Sequence, residues 1–141
     1  MRRRALSAAA LLTAVTALAQ NLGYQPDPRW QAPAEAAARA NPLAGRPELA
    51  AGGRKLFLRH CAQCHGESGE GGGRKNAADL QLPAVQGQSD GTLHWKITNG
   101  NPDRDMPSFA RLPELQRWQL VLYLRQLAAS RAAESQGAQA R

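Results

Sequence analysis

The chain has 141 residues, 43% of them hydrophobic, and carries 18 Lys and Arg against 11 Asp and Glu, a formal charge of +7. That length accommodates one domain with a modest core. Aromatic residues make up only 5%, and stacking platforms and dense basic clusters are both missing, which excludes a nucleic-acid-binding role.

Residues 1–19 read as an export signal. Arg2, Arg3 and Arg4 form a positive start, and residues 5–17 are apolar apart from Ser7, Thr13 and Thr16. Ala17-Leu18-Ala19 before Gln20 is a small-residue cleavage site. The apolar stretch is short for a bilayer span, so a retained anchor is the lesser reading. Cleavage after Ala19 leaves a mature chain of 122 residues with 15 basic and 11 acidic side chains, or +4. Such a mild positive balance serves solubility or docking onto acidic partners.

Residues 20–47 form a Pro/Ala-rich arm punctuated by Pro26, Pro28, Pro33, Pro42 and Pro47. Fixed proline dihedrals and the restriction on the preceding residue disfavour long helices there. Residues 34–39 are suited to one or two helical turns. Trp30 is too large to leave in water, which predicts an arm packed over the domain.

Residues 48–63 read as a helix with Leu49, Leu56, Phe57 and His60 at helical spacing, weakened by Gly52 and Gly53. It runs into Cys61-Ala62-Gln63-Cys64-His65, which holds the only two cysteines. C-x-x-C-H is the signature of covalent haem attachment. Two thiols on one helical turn can add to the two vinyl groups of a porphyrin, and the adjoining imidazole then sits under the iron. Three other readings fit less well. A structural zinc site needs four ligands, and beyond this cluster only His60 and His94 remain. A thioredoxin-like motif needs a preceding strand, and a disulfide across four residues would be strained and staple almost nothing.

Five glycines between Gly66 and Gly73 predict a loop. A helix then starts at Ser89 or Asp90 as cap, passes through His94, Trp95 and Lys96, and stops at Asn99-Gly100. Pro113 and Glu114 open the last helix, whose apolar face is Leu115, Trp118, Val121, Leu122, Leu124 and Leu127, with Arg125 near its end. Residues 128–141, rich in Ala and Gln without apolar periodicity, are expected to fray as a flexible tail. No strand-like alternation occurs, so the fold class is all-α, and one C-x-x-C-H means one haem.

Over about residues 48–127 the chain resembles the class I bacterial monohaem cytochromes c, the short exported kind. The resemblance rests on the C-x-x-C-H motif, on Gly53 and Phe57 before it, on Leu120 and Tyr123 in the last helix, on Ser89-Asp90-Gly91-Thr92-Leu93, and on Asn99-Gly100 followed by Met106-Pro107-Ser108-Phe109. It implies three to four helices around one haem c, bound through Cys61 and Cys64, with His65 as proximal iron ligand. It also implies a close approach of the terminal helices at Gly53. The sequence departs from the family in two places. Leu112 stands where a Ser/Thr helix cap is common, and the nearest proline after His65 is Pro83. A proline carbonyl often holds the proximal histidine in that family, so here the partner of His65 stays unassigned.

The sixth ligand follows by family match and elimination: without the export signal, Met106 is the only methionine, and its polar neighbours make it a poor core residue. The rival is His94, read as a surface or propionate-side residue. Trp95 either fills the core or donates its indole N–H to a propionate. The implied role is single-electron transfer between extracytoplasmic redox proteins as donor and acceptor, with no small-molecule substrate. The implied place is the periplasm or the outer face of the cytoplasmic membrane, as a monomer or within a redox complex. Two alternatives stand beside this carrier: a dedicated haem subunit of a dehydrogenase or reductase complex, and a five-coordinate gas-binding sensor.

Overall fold

The computed structural model describes residues 27–74 and 77–140; the export signal read at residues 1–19 and the first part of the arm lie outside the described residues. Among the described residues there are six α-helices and no strand. They are α1 (Ala34–Ala37), α2 (Ala50–His60), α3 (Ala62–His65), α4 (Pro83–Gln86), α5 (Asp90–Asn99) and α6 (Glu114–Gln139). Short 3-10 turns lie at Pro47–Leu49 and Pro102–Arg104.

The expected helix over 48–63 divides in two. A 3-10 turn leads into α2, and the chain breaks at Cys61 before the single turn of α3 carries Cys64 and His65. Helix α5 begins as its sequence predicts: the Ser89 hydroxyl accepts the Thr92 N–H at 3.1 Å, which satisfies one orphan donor of the first turn. It ends at Gly100, whose φ of 67° lies in the left-handed region that suits glycine. Helix α6 has Pro113 at its N-cap and no side-chain cap.

Packing is organised by α2 against α6. Phe57 is fully buried, and its ring meets Tyr123 at 5.3 Å between centroids. Gly53 is buried, and a side chain there would run into the backbone carbonyl of Gln119. Trp118, Leu120 and Val121 complete the inner layer of α6. Leu115, counted from its spacing as part of this apolar face, is 60% exposed.

The tail expected to fray differs in the structure. Helix α6 continues to Gln139, consistent with the high helix propensity of its alanines and glutamines. Arg125 therefore sits mid-helix rather than near an end. It binds Asp90 and the carbonyls of Gln86 and Gln88, at 2.6–2.9 Å, and so ties α6 to the start of α5.

The arm lies on the domain. Asn41 donates to the Trp118 carbonyl at 3.2 Å, Arg39 pairs with Glu114, and the Ser89 hydroxyl donates to the Ala37 carbonyl at 2.7 Å. The Trp30 indole N–H donates to the Gly100 carbonyl at 2.9 Å, with the Lys96 ammonium 4.4 Å from the ring centroid. The half-buried Trp95 is outside the core cluster, and Trp118 is the tryptophan that fills the core. Gly53→Val should cost about 3 kcal/mol by forcing α2 from α6. Chemical denaturation of the haem-loaded protein checks this, and a loss below about 0.5 kcal/mol, as at an ordinary surface site, would contradict it.

Candidate functional site

An apolar cavity of about 330 Å³ lies between the α2–α3 turn, α5, α6 and the loop before α6. Phe57, Leu93, Ile97, Phe109, Leu120 and Leu124 contribute its apolar wall. Cys61, Cys64, His65 and Met106 all line it, so residues up to 45 positions apart in sequence are brought to one space. Both cysteines are free thiols. Burial, helped by the neighbouring Cys64, pushes the Cys61 thiol up to about 12. It is thus fully protonated at neutral pH.

The partner of His65 is the Ala78 carbonyl, 2.9 Å from Nδ1. A carbonyl only accepts, so Nδ1 carries the proton and Nε2 is left with a free lone pair. Burial lowers the pKa of His65, and the bond to Ala78 opposes that shift in part. The ring is thereby held neutral, in one tautomer and one orientation, as a metal-binding imidazole requires. Nothing in the local sequence marked Ala78 as the acceptor.

Met106 is held by backbone. It forms an isolated antiparallel bridge with Asn101, with N–H to carbonyl distances of 2.9 and 3.0 Å in the two directions. The turn between them is closed by Asp105 at a φ of 59°. Gly100 adjoins this bridge, so the Trp30 hydrogen bond anchors the methionine loop to the arm. Trp30 also lines the cavity, a contribution that its isolated position in the sequence did not reveal.

His94 does not line the cavity. It is buried rather than on the surface, stacked on Trp118 with centroids 3.9 Å apart and planes 17° from parallel. This corrects its reading as a surface or propionate-side residue. His60 is exposed at the cavity mouth, 6.1 Å from the Phe109 ring between centroids. Among the described residues no three His, Cys, Asp or Glu side chains group as a metal site, so the zinc reading has no support.

The residues fit a covalent haem: two thiols at the start and within the single turn of α3, a neutral imidazole with Nε2 unengaged, a thioether-bearing loop and an apolar wall around one cavity. This helical fold with its C-x-x-C-H turn on the cavity wall is that of a class I c-type cytochrome. The family model described as cytochrome c oxidase, cbb3-type, subunit III matches residues 48–124, and the chain belongs to that family. Its cytochrome c domain carries a haem-based electron-transfer role. Comparison with curated proteins gave no match, and neither did comparison with solved structures.

Burial, with Arg117 and Arg39 nearby, lowers the pKa of His94 from 6.5 to about 4, against the raising influence of Glu114. The unfolded chain takes up this proton near pH 6.5 and the folded one only near pH 4. His94 therefore leaves stability unchanged above that window. Within it, stability falls as pH falls, by at most about 1.4 kcal/mol per unit. Urea denaturation midpoints between pH 7 and pH 4 should show this slope, and His94→Gln should flatten it.

Proposed function

We propose that this protein is an exported monohaem carrier of single electrons, with haem c attached through Cys61 and Cys64 and its iron held by His65 and Met106. The observation that carries this reading is the meeting of His65 and Met106 on one apolar cavity beside both thiols. Haem bound there supplies a one-electron Fe(III)/Fe(II) couple.

The chain's own residues do the rest. Ala78 fixes the imidazole, the Asn101–Met106 bridge restrains the thioether loop, and the wall formed by α5 and α6 excludes water. A soft thioether and an apolar surround both favour the reduced state. Ligands restrained in this way move little between oxidation states, which keeps the reorganisation cost of transfer low. Iron held by both His65 and Met106 would have no place for a small-molecule substrate, so the function is transfer and not catalysis.

Donor and acceptor are extracytoplasmic redox proteins, and the periplasm or the outer face of the cytoplasmic membrane is the place. Support for that place comes from the export signal in residues 1–19 and the mild positive balance left after its removal. Among the described residues no helix is long and apolar enough to cross a membrane.

A second reading has a specific observation behind it. The family description refers to an oxidase subunit, and the packed arm with Trp30 offers surface beyond the matched region. In that case the same single-electron chemistry operates within a complex, and a stoichiometric partner should co-purify with the protein from its native membrane fraction.

The test is the absorption spectrum of the haem-loaded protein with and without carbon monoxide. The ferric protein should show the weak far-red band of sulfur ligation, and the reduced protein should not respond to the gas. Met106→Ala should lose the band, bind carbon monoxide readily and show a lower midpoint potential. Carbon monoxide binding by the unaltered protein would instead favour a five-coordinate sensor.

A further inference from the structure

The histidine-holding carbonyl belongs to Ala78, in a segment where proline supplies no rigidity, yet Ala78 and Asp79 are 8% and 5% exposed. What restrains the segment is Asp79. Its Oδ1 accepts the Gln81 N–H at 2.8 Å, which closes a local turn, and its Oδ2 accepts from Arg131 Nη1 at 2.9 Å. The following residue is fixed as well, with the Leu80 N–H donating to the Gly69 carbonyl at 2.7 Å. Arg131 lies in the part of α6 that continues beyond the family match at residue 124. The Asp79 side chain is 7% exposed and that of Arg131 is 44% exposed. The carboxylate is thus largely withdrawn from water and has its counter-charge on α6, seven residues beyond Leu124, the last residue of that helix buried in the core.

We propose that Arg131 and Asp79 form a positioning pair, through which the distal part of α6 holds the Ala78 carbonyl against His65 Nδ1 and so sets the electron donation of the proximal imidazole. The proposal rests on His65 being the proximal ligand. Neither residue touches the haem cavity, so both act through Ala78. A hydrogen bond to Nδ1–H makes the imidazole a stronger donor and stabilises the oxidised state. A slack Ala78 segment weakens that donation and raises the midpoint potential. The continuation of α6 past residue 127 then has a function, which a frayed tail would lack.

Removing one partner alone would confuse position with field, because it leaves an unbalanced charge near the iron. The test therefore uses the charge-neutral double variant Arg131→Gln/Asp79→Asn, in which the residue 79 amide oxygen can still accept from Gln81. Arg131→Lys is the conservative control, since it retains the charge and one donor. Midpoint potentials are measured by mediated titration, and exchange of the His65 Nδ1 proton by NMR, all on haem-loaded protein. The double variant should keep its covalent haem, show a raised midpoint and exchange the Nδ1 proton at least about fivefold faster. Arg131→Lys should remain near the unaltered protein in both. A double variant indistinguishable from the unaltered protein overturns the proposal, as does an Arg131→Lys variant as perturbed as the double one. Absence of a haem-bound His65 resonance in the unaltered protein would overturn the ligation reading itself, a failure visible before any variant is compared.

Discussion

At Gly53 the backbones of α2 and α6 come together with no side chain between them, and the rest of the molecule is arranged around that approach. It lets Phe57 reach Tyr123 and puts Leu120 and Leu124 on the cavity wall. Since α2 ends one residue before the C-x-x-C-H turn, its placement against α6 also fixes where both thiols and His65 stand. Helix packing and haem chemistry therefore depend on one contact. A helix pair separated by a single methyl group would shift the whole proximal wall.

Two loops complete the cavity, and each is held from outside the region of family match. On one side Trp30 of the arm donates to the Gly100 carbonyl beside the Asn101–Met106 bridge. On the other, Arg131 reaches back to Asp79 beside the carbonyl that engages His65. Irregular backbone is the most mobile part of a small domain, and these loops carry Met106 and the carbonyl that engages His65. External anchors on both sides let a small core keep two distant side chains in register without large helices at either position.

Much of this could be read from the residues. The C-x-x-C-H motif, the Ser89 cap, the stop at Gly100 and the need for a packing reason at Gly53 each have a local chemical cause, and local causes leave sequence traces. Other features were illegible because many residues could have supplied them. Any carbonyl in the loop after His65 could have accepted a hydrogen bond from its ring, and the one that does, at Ala78, stands beside residues whose partners, Gly69 and Arg131, are distant in sequence. His94 and Trp95 are adjacent, and helical phase alone decided that the histidine would face Trp118 while the tryptophan stayed half-buried. The stretch past residue 127 lacked an apolar stripe and read as fraying, although its alanines and glutamines favour helix and one arginine finds a buried carboxylate across the domain.

The central claim, that His65 and Met106 hold one iron between them, is tested most directly by proton NMR of the reduced, haem-loaded protein. A methionine methyl lying over the porphyrin is shifted far upfield by the ring current. The account predicts one such methyl, lost in a selectively labelled sample only when Met106 carries the label, together with a slowly exchanging His65 Nδ1 proton. A spectrum with no upfield methyl would contradict it and require another distal ligand or an open iron.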